Sequence, residues 1–159
     1  MANRNRNAGL YLERTVVQTF NKRTLGQPGI TNKDIRSLPD NQFSAFPKLG
    51  TTRELSRALD ARKVDITTVV PERIREFPYN IQTKTLVGGA AKYPLFLDEI
   101  RQVNKVGVPI FIHQQTEKKG ERFFVKDEFV CMYLSDWMDM VYKIKDLEME
   151  FKQREHFEQ

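Results

Sequence analysis

Two runs rich in β-branched residues, Val64–Val70 (VDITTVV) and Asn80–Val87 (NIQTKTLV), stand between segments of helical spacing, and that mixture constrains the fold most. The first run stops at Pro71 and the second at Gly88-Gly89, as strands do. Upstream, Leu10, Val16, Val17 and Phe20 recur at helical intervals within Ala8–Arg23. Between that helix and the first run, Gly26, Pro28, Gly29, Pro39, Pro47 and Gly50 predict a long irregular connection. Short helices over Asn32–Leu38 and Arg53–Leu59 interrupt it, the second opened by the capping pattern of Thr51 and Glu54. Downstream, Pro94 suits the first turn of a helix reaching Lys105, and Val108–Gln114 is an apolar run short enough for a buried strand. Glu121–Val125 and Phe129–Leu134 read as a hairpin after a turn at Lys118–Gly120, and Ser135 as the cap of a last helix over 135–159. This order predicts an α/β fold: a central mixed β-sheet of about five strands flanked by helices on both faces.

A length of 159 residues suits one domain over 8–159, preceded by a flexible basic arm, 1–7, in which Arg4 and Arg6 lie between asparagines. Lys and Arg number 26 against 21 Asp and Glu, a net +5 that permits a nucleic-acid partner without demanding one. No apolar run approaches the roughly 20 residues of a membrane span, and the opening MANRNRNAGL lacks the apolar stretch of a signal peptide. The lone Cys131 cannot form an internal disulfide, so a cytoplasmic setting is expected, and two histidines with one cysteine are too few for a structural zinc site.

Three placements are anomalous for a plain core. Glu13 falls in the middle of the helical sector formed by Leu10, Val16, Val17 and Phe20. A carboxylate there must reach the helix edge, pair with an arginine such as Arg14 or Arg57, or bind a metal. Asp65 interrupts a β-branched strand. Gln82 and Lys84, two apart, project from one strand face, while Ile81, Thr83 and Thr85 take the other. If adjacent strands and a packed helix bring these groups together, carboxylate and amide oxygens suit magnesium. An ammonium beside them can steady phosphate charge or orient a water.

Glu13 on the first helix, Asp65 on a strand and Gln82-Thr83-Lys84 on the next resemble the PD-(D/E)XK nuclease superfamily, and within it the Holliday-junction resolvases. Gly9 followed by Glu13-Arg14 is similar to the opening of that group, and the element order is similar over about residues 8–134. The resemblance implies a restriction-endonuclease-like core and a magnesium-dependent endonuclease, with manganese able to substitute. It implies that Glu13, Asp65 and Gln82 serve the metal and that Lys84 activates the attacking water. Val64 stands where the family's proline precedes the acid, and Gln82 stands where Glu or Asp is usual, as in the Mrr-like restriction branch. The same bare pattern recurs in Glu117-Lys118-Lys119 and Glu150-Phe151-Lys152, but one lies in a predicted turn and the other on a predicted helix. A restriction or repair nuclease on linear duplex, or a catalytically inactive DNA-binding or structural subunit, are the alternatives.

The resemblance also points to phosphate contacts from Ser56 and the surrounding Arg53, Arg57 and Arg62, with Arg4 and Arg6 from the arm. Such contacts hold DNA, here expected to be branched, without reading its bases. His113 and Cys131 are expected to be core residues. Trp137, Met140, Ile144, Leu147 and Phe151 are spaced 3, 4, 3, 4, a heptad seam on the last helix. That seam either covers the sheet or pairs two copies as a homodimer.

Overall fold

The computed structural model describes residues 2–27, 29–55, 57–87 and 92–157, except the side chains of 2–8, Arg57, Leu59, Val87, Phe123 and 155–157. Ser56 therefore lies outside the described residues, as do the side chains of Arg4, Arg6 and Arg57.

Helix α1 (Ala2–Leu25) opens the fold. Its backbone is already helical over the residues expected to be a flexible arm, because nothing between Ala2 and Ala8 breaks a helix. Gly26, at φ +63°, ends it in the left-handed conformation that glycine adopts without strain, its N–H returning to the Lys22 carbonyl at 3.2 Å. Helix α2 (Asn32–Ser37) follows, capped by Thr31 and Asp34. Strand β1 (Leu49–Thr51) comes next, then the helical segments α3 (Thr52–Leu55) and α4 (Arg57–Asp60) on either side of Ser56, over the span where a helix is expected. Strand β2 (Ile66–Thr68) and strand β3 (Tyr79–Val87) precede helix α5 (Tyr93–Val103). Strands β4 (Val108–Lys119) and β5 (Arg122–Cys131) and helix α6 (Leu134–Phe157) complete the chain.

The five strands form one mixed sheet in the order β1-β2-β3-β4-β5. Only β3 and β4 are parallel, and α5 makes the crossover between them. The register fixes the faces. Ile81 pairs with Ile110, and both join Val17 of α1, Leu49, Ile66, Phe77 and Ile112 in one core. Gln82 pairs with Phe111, which packs on Leu97 and Ile100 of α5 on the opposite face. Helices therefore cover both sides of the sheet.

Three expectations change. The hairpin partner of β4 is one long strand, not the two expected over 121–134. Lys119 pairs with Arg122 across a two-residue turn with Gly120 at φ +63°, and Leu134 starts α6. The charges at 126–128 do not break β5, because it is an edge strand and Glu128 accepts a hydrogen bond from Gln114 at 2.8 Å. Strand β1, expected as loop, is held from outside its own sequence: Asn21 of α1 donates to the Leu49 carbonyl and accepts from the Leu49 N–H, both at 2.9 Å. Helix α6 does not cover the sheet, for Ile144, Leu147 and Phe151 are 55%, 57% and 70% exposed.

Candidate active site

Glu13 projects from the sheet-facing side of α1, one turn before Val17, and is 1% exposed. Its Oε1 accepts from Arg53 Nη2 at 2.9 Å, while its buried Oε2 has no protein partner. The pairing is doubled, since the next residues on each helix, Arg14 and Glu54, meet at 2.7 Å. Consecutive acid and base on α1 thus face consecutive base and acid on α3. Thr52 ties α3 to the strand entry by donating its hydroxyl to the Val64 carbonyl at 2.6 Å and its N–H to the Asp65 carbonyl at 2.9 Å.

Asp65 sits immediately before β2 and is 7% exposed. Its N–H donates to the Ile81 carbonyl at 2.7 Å, as a strand residue would. Its side chain then replaces the strand: Oδ2 accepts the Thr83 N–H at 2.7 Å and the Thr83 hydroxyl at 3.2 Å. A strand N–H points within the sheet plane, so the Asp65 carboxylate lies in that plane, at the fork where β2 leaves β3. Groups from either face can approach it there.

The electrostatics bind this set together. Burial, then the Asp65 charge, raise Glu13 from the ordinary 4.5 to about 7, against the opposing pull of Arg53 and Lys84. Asp65 is also raised, chiefly by burial, although the two Thr83 donors and the charges of Lys84 and Arg53 favour its ionised form. Two buried carboxyl groups that resist ionisation, with a lysine acting on both, suit a divalent cation or an acid–base pair.

The structure thus sets the Glu13 and Asp65 carboxyl groups within electrostatic reach of each other and of Lys84. Gln82 shares its strand face with Lys84 and stands beside Phe111 in the ladder; its amide is 2% exposed with an unpartnered Oε1. Among the described residues no three His, Cys, Asp or Glu side chains gather as a metal site. Of the expected phosphate contacts, Arg53 is engaged by Glu13 and lies 3.9 Å from Asp60, whereas Arg62 is exposed. The sequence does not mark Arg53 as the partner of Glu13, nor Thr83 as the anchor of Asp65. The threonine between Gln82 and Lys84 was the available signal for the second. His113 is buried, accepts or donates at Nδ1 with the Tyr93 hydroxyl at 2.9 Å, and leaves Nε2 unpartnered.

No family model, curated protein or solved structure matches this chain. No helix among the described residues is long and apolar enough to cross a membrane.

Proposed function

We propose that this protein is a magnesium-dependent DNA endonuclease with a restriction-endonuclease-like core, of the junction-resolving kind. The observation that carries the reading is the pair of buried carboxyl groups, Glu13 and Asp65, both shifted upward and both under the influence of Lys84. The donor set fits magnesium. It needs only one or two carboxylates from protein, its remaining positions going to water and phosphate. The unpartnered Oε2 of Glu13 is a buried oxygen waiting for a cation, and Thr83 fixes Oδ2 of Asp65, leaving Oδ1 as the ligand atom. When bound, magnesium supplies positive charge to the phosphate oxygens and eases ionisation of the attacking water. Arg53 holds Glu13 in its one orientation, and Lys84 offers the ammonium that orients water and steadies developing charge. Manganese can replace magnesium on the same oxygens.

A second reading, a non-catalytic DNA-binding or structural subunit of the same fold, is favoured by one feature, the neutral Gln82 where an acidic metal ligand would serve better. Incubation of the purified protein with a labelled four-way junction and with plain duplex, with and without magnesium, tests the choice. Metal-dependent cutting confined to the junction is expected, and Lys84→Ala should abolish it while DNA binding survives. Equal cutting of duplex would assign the chain to the restriction or repair type. Absence of both cleavage and any magnesium-induced shift in melting temperature would favour the non-catalytic subunit.

A further inference from the structure

Helix α6 is 24 residues long, and among the described residues its polar tie to the body lies at its start. There Arg101 of α5 reaches Asp136 at 3.1 Å, while the Trp137 N–H closes the helix's own first turn on the Tyr133 carbonyl at 3.0 Å. Beyond that turn the seam Ile144, Leu147 and Phe151 is exposed, and Trp137 is 52% exposed at its head. A projecting helix of this length gains its stability from packing rather than from propensity, so an apolar seam left in water calls for a partner.

The seam itself says which partner. In heptad terms Trp137, Ile144 and Phe151 take position a, and Met140, Leu147 and Arg154 take position d. A parallel pair of these helices sets Arg154 against its own copy in the core, which is repulsive. An antiparallel pair sets a against d. Ile144 then meets the partner subunit's Leu147, Met140 meets the partner subunit's Phe151, and Trp137 meets the partner subunit's Arg154. Each contact occurs twice about a two-fold axis between Lys145 and Asp146, and the charged end lies over an indole face, a favourable cation–π arrangement. The flanking g positions agree, since Lys143 falls opposite the partner subunit's Glu150, again twice.

We propose that α6 binds a second copy of this chain as an antiparallel two-helix seam, in the register that places Ile144 opposite the partner subunit's Leu147. The two bodies then stand at opposite ends of the seam, their helix starts separated by about 35 Å. This inference is independent of the nuclease reading, because its measurement is the state of association and not cleavage.

Sedimentation equilibrium on the full chain tests it. The wild type is expected to be a dimer and Leu147→Asp a folded monomer. Lys143→Glu should raise the dissociation constant about tenfold, as two attractive pairs become repulsive. The double change Lys143→Glu with Glu150→Lys should restore it. In a parallel pair Lys143 would instead face the partner subunit's Glu148, so restoration by Glu148→Lys and not by Glu150→Lys overturns the proposal. A wild type that stays monomeric at its highest soluble concentration overturns it as well.

Discussion

Replacing Glu13 by Gln removes a buried charge while keeping an oxygen for Arg53, and its effect on stability should depend steeply on pH. The Glu13 carboxyl titrates at about 7 in the folded protein against 4.5 in an unperturbed chain. A raised carboxyl pKa means that the folded state prefers the proton. Its favourable contribution is complete below pH 4.5 and is lost as pH rises through 7. The difference amounts to about 3 kcal/mol, or roughly 6–12 °C in melting temperature for a chain of this size. Thermal melts of wild type and Glu13→Gln, run in parallel without divalent metal, read the titration of this group together with its coupling to Asp65. The variant should melt higher by that amount near pH 8 and match the wild type near pH 4.5. Magnesium at pH 8 should recover the wild type and leave the variant unchanged, since a cation satisfies the ionised Oε2. Identical pH dependence in the two proteins, or a variant less stable at pH 8, would refute the reasoning.

Two further changes test the scaffold. Asn21→Leu strips both hydrogen bonds from the Leu49 backbone and should cost about 2–4 kcal/mol in urea unfolding, as a buried donor and acceptor lose their partners. Gly107→Ala places a Cβ 2.7 Å from Asn80 Nδ2 and 3.0 Å from the Pro78 carbonyl, at φ +95°, so it should destabilise by about 1–3 kcal/mol.

The sequence revealed the alternation of helix and strand because β-branched runs and helical spacing are local signals. It also exposed Glu13 and Asp65, since an acid inside an apolar pattern is visible wherever its partners lie. What it could not reveal was tertiary. Strand β1 exists because Asn21, far back in the chain, supplies its hydrogen bonds, and Arg53 finds Glu13 only after α3 is tied to Val64 and Asp65. Strand alternation correctly put Gln82 and Lys84 on one face. It could not say which helix covers that face; Phe111, the ladder partner of Gln82, packs on α5. The heptad seam reads the same whether it caps a sheet or meets another helix, so only the exposure of α6 distinguishes them.

The Asn21 clamp has a consequence for how this sheet behaves in a crowded solution. Leu49 lies on the border strand, and its amide and carbonyl are already occupied by a side chain that mimics a neighbouring strand. No foreign backbone can add there without first displacing α1. A sheet sealed along one border and open along the other cannot be propagated from molecule to molecule, so edge pairing stops at two instead of running on into a fibril.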